Sequence, residues 1–356
     1  MSPTKPPGHP AAAKLREDVR TLQPGYFALV MATGILSIAL RNERAYALSV
    51  ALMWLTVAAY VVLVTLTAWR LARYRSAVGA DLEDPRRAFG LFTFVAGTDV
   101  LGTRLAVDGH HVIAFILLAA GWLAWLVLGY VVPWTAVLGH ARRPILQNAN
   151  GTWFIWVVAS QSIAVLAAAL EPDVTIGRSG LALLAVFSWS VGVFLYAGNG
   201  VLVACRLLLY PFGPEDLTPP YWVAMGATAI TVVAGARIVQ MADAPFVAAT
   251  RGLIAGASVL FWSFGSWLIP PLLAAGIWRH LIHRVPLHYE PTLWSIVFPL
   301  GMYGVAGNFL AQADHLPFAG SIGDVASWFA FAAWVVTFAA MLLHFGRSAR
   351  AVLADS

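Results

Sequence analysis

The sequence predicts an all-α polytopic membrane protein, with ten transmembrane helices arranged as five repeated helical hairpins around a central pore. Composition is the first reason: 60% of the 356 residues are hydrophobic and 11% are charged, whereas soluble domains have about 45–50% and about 25%. Patterning is the second, because the apolar residues fall into ten separate segments. Each segment is long enough for the roughly 20 residues that a bilayer core requires.

The ten segments follow one another with short polar loops between them. They cover residues 25–41, 46–69, 88–107, 111–138, 152–170, 180–208, 221–242, 252–278, 290–312 and 321–345. Together they predict one transmembrane domain at 25–346, an N-terminal tail at 1–24 and a C-terminal tail at 347–356. The N-terminal tail is polar and proline-rich and lacks the apolar core of a signal peptide, so we expect it to remain a tail.

The basic residues indicate the direction of crossing. Of the 22 Lys and Arg residues, 16 fall in the tails and in the loops on the side of the termini, and 6 fall towards the opposite side. Because basic loops stay in the cytoplasm, we expect both termini to be cytoplasmic, with the protein in the cell inner (plasma) membrane. No dense basic run appears, so the expected partner is the lipid bilayer and not nucleic acid.

The segments alternate between two types. Even-numbered segments are longer and more apolar, whereas odd-numbered segments carry a small or polar residue at mid-depth: Thr33, Thr98, Ser160, Thr228 and Gly301. These positions follow one another by 65, 62, 68 and 73 residues, and an aromatic residue stands seven residues before four of them. Recurrence at such a spacing predicts a repeated helical hairpin. The alternative is ordinary helix packing, which also favours small residues.

Five parallel odd-numbered helices can surround an axis, with the even-numbered helices outside them against lipid. In that arrangement the hydroxyl groups of Thr33, Thr98, Ser160 and Thr228 would line the pore at one depth. Hydroxyl donors can replace part of the hydration shell of an anion and still release it. The alternative is that each hydroxyl bonds to a carbonyl of its own helix.

Segment nine contains Phe298-Pro299 near its middle, followed by Gly301. Proline removes one backbone hydrogen bond, so Pro299 and Gly301 predict a bend near the membrane centre. Such a segment suits a site between helices or beside a cavity that solvates the loosened backbone. We interpret it as one wall of the pore, with Phe298 beside the bend. The alternative is that Phe298 only fills space between helices.

Two arginines lie late in segments three and seven. The field of Arg104 and Arg237 at the outer mouth would raise the local concentration of anions. The alternative is structural pairing, of Arg104 with Asp99 or Asp108 and of Arg237 with Asp243.

Asp99 is the carboxylate nearest to the middle of the membrane, where it needs a partner or a proton. We expect it to face neighbouring helices, paired to Arg104 or hydrogen-bonded to Thr103. The second hypothesis is that Asp99 is a proton site that couples transport to the proton gradient.

The residues of common catalytic and cofactor sites are scarce at membrane depth. The nine histidines lie in tails, in loops or at helix ends, both lysines lie in the N-terminal tail, and Cys205 is the single cysteine. Haem ligation, a Schiff base and a thiolate metal cluster therefore lack their residues. We expect no cofactor, no bound metal and no enzymatic activity.

Four motifs stand out in the odd-numbered segments: Pro24-Gly25-Tyr26-Phe27, Met31-Ala32-Thr33-Gly34-Ile35, Asn150-Gly151-Thr152-Trp153-Phe154 and Trp294-Ser295-Ile296-Val297-Phe298-Pro299. They resemble the tellurite-resistance and C4-dicarboxylate transporter family. The family includes the bacterial TehA protein, plant slow anion channels, yeast malate permeases and fungal sulphite efflux pumps. The resemblance implies a homotrimer in which each subunit has its own pore, occluded by a phenylalanine of the ninth helix that matches Phe298.

Composition, patterning and resemblance together predict an anion channel or uniporter. It would move small inorganic or organic anions such as chloride, nitrate or hydrogen sulphite through a pore gated by Phe298. The alternative is a proton-coupled transporter of C4-dicarboxylates such as malate. A carrier of that kind usually needs a cationic substrate clamp, which only Arg104 and Arg237 could supply.

Overall fold

A computed structural model describes residues 10–139, 143–174, 176–242, 244–313 and 316–354. These residues form helices, turns and loops, and no β-strand occurs among them. Ten helical stretches are long and apolar enough to cross a membrane: Pro24–Asn42, Tyr46–Arg73, Ala88–Val107, His111–Leu138, Gly151–Asp173, Arg178–Leu209, Pro219–Val239, Pro245–Ile282, Pro291–Ala313 and Pro317–Ser348. The predicted all-α polytopic class is confirmed. The largest shift in a boundary is in the eighth span, which begins at Pro245 instead of 252.

The α-helices are numbered α1 to α12 in chain order. They are α1 Pro10–Arg20, α2 Ala28–Asn42, α3 Tyr46–Arg73, α4 Arg75–Glu83, α5 Phe92–Val107, α6 His111–Val132, α7 Phe154–Leu170, α8 Arg178–Leu209, α9 Val223–Val239, α10 Pro245–Ile277, α11 Trp294–Ala313 and α12 Pro317–Ala354. We call α2, α5, α7, α9 and α11 the ring helices, and α3, α6, α8, α10 and α12 the peripheral helices.

One turn of 3-10 helix precedes every ring helix. These turns are Pro24–Phe27, Ala88–Leu91, Gly151–Trp153, Pro219–Trp222 and Pro291–Leu293. Three of them begin with a proline, whose fixed φ angle suits the first position of a helix, where no backbone donor is needed. The aromatic residues that the sequence marks at the heads of the odd-numbered segments lie in these turns or at the first residue after them.

The ring helices contact one another in a closed circuit. Each packs against the next along the chain, and α11 packs against α2. Every peripheral helix packs against the ring helix that precedes it. The spans that contain the ring helices are 78–89% buried, whereas the peripheral spans are 17–39% buried. The alternation seen in the sequence therefore corresponds to two layers, with the apolar helices outermost.

Close packing of α11 depends on small residues at two contacts. A Cβ atom at Gly226 of α9 would lie 2.8 Å from Cγ of Pro299, and one at Gly301 would lie 3.0 Å from Cγ2 of Ile35 in α2. Larger side chains at Gly226 or Gly301 would push apart neighbouring ring helices. The helix α11 runs without interruption through Pro299, and the bend predicted there stays a prediction.

Candidate functional site

A small cavity lies inside the ring, and all five ring helices contribute to its wall. Its lining residues are Ile35, Ile38, Val100, Thr103, Ser162, Val165, Ile230, Val233, Arg237, Met302, Val305 and Phe309. The cavity has a volume of about 20 Å³, room for about one water molecule. Nine of these side chains are apolar, and Thr103, Ser162 and Arg237 supply the polar atoms.

The lining residues form two levels that lie three residues apart on every ring helix. The first level holds Ile35, Val100, Ser162, Ile230 and Met302, and the second holds Ile38, Thr103, Val165, Val233 and Val305. Residues three apart on a helix share a face. Successive residues of the first level are 65, 62, 68 and 72 residues apart along the chain. The last interval is one residue shorter than the last interval between the small or polar positions of the sequence pattern. The position on α11 equivalent to Thr33 is therefore Leu300, and not Gly301.

Phe298 lies one turn before Met302 on α11 and is not one of the residues that line the cavity. Its side chain is 1% exposed. The equivalent positions on the other four ring helices, four residues before the first level, carry Met31, Ala96, Val158 and Gly226. The large ring of Phe298 thus belongs to a level at which two of the four other residues are Ala and Gly.

Arg237 is the cation in the wall of the cavity. Its guanidinium carbon lies 4.6 Å from the centre of the Phe309 ring, a cation–π contact. Its Nε atom is buried without a hydrogen-bond partner, and within the described ranges no carboxylate forms an ion pair with it. Asp243, its predicted partner, lies outside the described residues.

Arg104 has a different environment from Arg237. Its side chain is fully buried and lies 2.5 Å from a carboxylate oxygen of Asp108, whose other oxygen accepts a hydrogen bond from Arg41 at 2.8 Å. A second contact, of 3.3 Å, joins Arg104 to the hydroxyl of Ser49 in α3. Arg104 does not line the cavity. Of the two arginines predicted at the outer mouth, only Arg237 faces the cavity, and Arg104 follows the alternative of structural pairing with Asp108.

Asp99 lies outside the cavity lining and contacts Ser162, one of the lining residues. Its side chain is completely buried, and Oδ2 accepts a hydrogen bond of 2.8 Å from the hydroxyl of Ser162, while Oδ1 has no partner. The predicted pairing with Arg104 is absent among the described contacts, and the hydroxyl of Thr103 donates to the backbone carbonyl of Asp99 instead of its carboxyl group. Asp99 does face neighbouring helices, because its carboxyl group fills the space beside Gly121 of α6.

The four hydroxyl residues assigned to a pore wall point towards the peripheral helices. Thr33 accepts a hydrogen bond from the indole of Trp334, Thr98 is paired with the hydroxyl of Tyr60, and Ser160 accepts one from the indole of Trp125, at 3.0, 3.0 and 2.9 Å. Thr228 donates to its own helix at Met225 and lies against Gly265 of α10.

The angle between residues around the helix axis explains why these hydroxyls face outwards. The cavity-lining positions come two and five residues after each hydroxyl, and two residues on an α-helix rotate a side chain by roughly 200°. The hydroxyls therefore lie on the opposite face of the ring helices from the cavity. Sequence reasoning missed Ser162 as a cavity residue, although it lies in the polar cluster Ser160-Gln161-Ser162 of segment five.

Ten membrane-spanning stretches, five of them closed around a cavity with a cation in its wall, define a polytopic membrane protein of the channel and transporter type. The chain belongs to the voltage-dependent anion channel family (SLAC1), whose model matches residues 21–342. This confirms the resemblance noted in the sequence motifs.

Individual relatives are consistent with that assignment. An uncharacterized membrane protein of Mycobacterium tuberculosis strain H37Rv is 65% identical over 162 residues, which cover 44% of this chain and 82% of the relative. An uncharacterized transporter of Methanocaldococcus jannaschii is 23% identical over 90% of this chain and 92% of its own length. A sulfite efflux pump of Trichophyton rubrum is 24% identical over 92% of each chain. The names of the second and third of these relatives describe membrane transport.

Proposed function

We propose that this protein is an anion channel or uniporter that moves small anions along the axis of the ring. The observation that supports this most strongly is the cavity: five buried helices enclose it, and Arg237 is the cation in its wall. Chloride, nitrate and hydrogen sulphite are suitable substrates. The sulfite efflux pump among the relatives favours small oxyanions within this class.

The wall suits conduction more than tight binding. One arginine attracts the anion, and two hydroxyl groups, on Thr103 and Ser162, replace part of its hydration shell. The remaining nine residues are apolar, so the site does not hold the anion strongly. Selective passage requires this balance, in which an ion enters readily and also leaves.

Cavity size and charge favour a small anion over a C4-dicarboxylate. The cavity accommodates about one water molecule, whereas malate has about nine non-hydrogen atoms. Arg237 supplies one positive charge, but a dicarboxylate carries two negative charges. A proton-coupled dicarboxylate carrier would need a much wider pocket and a second cation at the axis.

Phe298 is the proposed gate. Its level is the next one to the cavity on the side of the helix N-termini, where Ala96 has little bulk and Gly226 lies against the neighbouring Pro299. Rotation of such a ring about χ1 opens or closes a passage only a few ångström wide. Pro299 stands beside it and removes one backbone hydrogen bond, which makes this part of α11 easier to distort.

The protein is proposed to work as a homotrimer in the inner membrane, with both termini in the cytoplasm. The five hairpins are proposed to be a structural repeat around the conduction axis. Each subunit would contain a complete pathway, because the five ring helices of one chain close around the cavity.

Purified protein reconstituted into planar bilayers tests this function. Under a chloride gradient, the current should reverse at the chloride equilibrium potential, and a proton gradient alone should leave the reversal potential unchanged. A reversal potential that follows the proton gradient would support the dicarboxylate carrier instead. Protein that carries no current for chloride, nitrate or hydrogen sulphite would refute both the channel and the uniporter.

A further inference from the structure

A buried carboxyl group lies one hydroxyl away from the proposed anion pathway. Asp99 is completely buried, and its Oδ2 lies 2.8 Å from the hydroxyl of Ser162, which lines the cavity. The other carboxyl oxygen, Oδ1, has no hydrogen-bond partner. An ionised carboxylate at this depth would require a cation or several donors to compensate for lost hydration.

The helices packed against α5 do not supply that compensation. On α6 the neighbour of the carboxyl group is Gly121, and the titratable groups of α6 are His111 at its start, 3.4 Å from Asp173, and the exposed Tyr130. The helix α7 has no charged side chain. On α3 the facing group is Tyr60, whose hydroxyl pairs with Thr98.

The two nearby arginines are engaged elsewhere. Arg104 on α5 and Arg41 on α2 both contact the carboxylate of Asp108. Asp99 therefore has one polar partner, the Ser162 hydroxyl, among the side chains of the described residues. A buried carboxyl group in these surroundings is most stable with a proton attached.

The hydrogen bonds of Ser162 distinguish the two protonation states. Its hydroxyl oxygen lies 2.8 Å from Oδ2 of Asp99 and 2.8 Å from the backbone carbonyl of Ala159, but the group has a single hydrogen. An ionised Asp99 competes for that hydrogen as an acceptor, which leaves lone pairs facing the cavity. A protonated Asp99 donates its own hydrogen to Ser162, and the serine hydrogen is then free to turn from Ala159 to an anion.

We propose that Asp99 is protonated in the conducting protein and positions Ser162 as a hydrogen-bond donor to the anion. Asp99 is a positioning residue that acts through Ser162, and this inference rests on the proposed function. Loss of the proton would convert Asp99 into an acceptor and place a negative charge behind the wall. Anion flux should therefore fall as the pH rises through the range in which Asp99 ionises.

Infrared difference spectroscopy of the reconstituted protein tests the protonation state without relying on flux. The spectrum of wild type minus Asp99→Asn should contain a carboxylic-acid C=O band at neutral pH, since other acids cancel in the difference. Added chloride or nitrate should shift this band in the wild type, and Ser162→Ala should abolish the shift. A carboxylate band, or an acid band that does not respond to anions, would overturn the inference.

Flux measurements complete the test. The amide of Asp99→Asn retains a donor to Ser162 and cannot ionise, so its flux should lose the decline at alkaline pH that the wild type shows. An alkaline decline that persists in Asp99→Asn would refute the inference. Absence of anion flux from the wild type would instead refute the proposed function, whichever infrared band is found.

Discussion

The two faces of the ring helices use polar residues differently. On the outward face, the hydroxyls of Thr33, Thr98 and Ser160 are bonded to tryptophan or tyrosine side chains of the peripheral helices. On the axial face, most side chains are apolar, and Ser162 and Arg237 are two of the three polar residues. The recurring hydroxyls thus join the two layers, while the cavity depends on residues that do not recur.

This difference has a physical basis. Lipid tails give no hydrophobic driving force for helix association, so hydrogen bonds between helices help to hold the two layers together. An ion pathway has the opposite requirement, because many strong donors would trap the ion. Substitutions on the outward face should therefore alter stability, whereas substitutions on the axial face should alter flux.

The largest expected effect is at the axial position Phe298. We expect Phe298→Ala to raise chloride flux by about tenfold or more, because removal of the ring lowers the barrier by at least about 1.4 kcal/mol. Flux into liposomes, normalised to the amount of folded protein, measures the change. The matched control is Phe329→Ala on α12, where the side chain is 69% exposed. Equal flux in Phe298→Ala and the wild type would exclude the gate.

The next largest effect, a decrease in anion flux, is expected at Arg237. We expect Arg237→Gln to reduce anion flux by about threefold to tenfold at low ionic strength, and by less at high ionic strength, because salt screens the attraction. Current amplitudes at two salt concentrations measure the effect. Arg44→Gln, in an exposed position after α2, removes the same charge from a loop and should have little effect. An equal loss of flux in both variants would indicate a general effect of protein charge and would contradict a specific role for Arg237.

Two serines on α7 provide a direct contrast between the faces. We expect Ser160→Ala to lower thermal stability, by about 1 kcal/mol for the lost interhelical bond with Trp125, with flux per folded protein unchanged. Ser162→Ala should lower flux instead. Thermal unfolding in detergent and flux in liposomes measure both properties. If Ser160→Ala reduced flux and Ser162→Ala did not, the assignment of the two faces would be wrong.

The smallest expected effect concerns pH and the loop after α2. Burial and the nearby charge of Asp324 raise the pKa of Glu43, so the folded protein binds this proton more tightly than the unfolded chain. The stabilisation by this proton is complete below the usual glutamate pKa of about 4.3 and is lost as the pH rises through the raised value.

Glu43→Gln should therefore raise the melting temperature at neutral pH, and the difference from the wild type should vanish in acid. Melting curves across the pH range check this sign. Glu83→Gln, at an exposed position on α4, is the control. A variant that is less stable than the wild type at neutral pH would contradict the prediction.

Much of the fold is predictable because apolar length and alternation respond directly to the bilayer. The ten spans, their two types and the aromatic entry turns follow from that pattern. Rotation about each helix axis is harder to predict, because spacing fixes the depth of Thr33, Thr98 and Ser160 but not the face on which they lie. The error of one residue at Gly301 has the same origin: a small residue there packs against Ile35 and imitates the repeating position.

The charged residues show a second limit of sequence reasoning. Arg104 and Arg237 both lie in the last turn of a ring helix, yet Asp108 pairs with Arg104 and not with Arg237. The sequence offers Asp99 and Asp108 as possible partners of Arg104, but it does not decide between pairing and exposure to the axis. Contact between Ser162 and Asp99 joins two different helices, and no local pattern in either segment indicates it.

Thiol accessibility tests most directly whether the ring axis is the anion pathway. In a Cys205→Ser, Phe298→Ala background, a cysteine introduced by Val305→Cys on the axial face should react with an anionic thiol reagent. The reaction should block flux and be slowed by chloride, whereas Thr33→Cys on the outward face should stay unmodified. An inert Val305→Cys in protein that conducts chloride, or modification only of Thr33→Cys, would contradict an axial pathway.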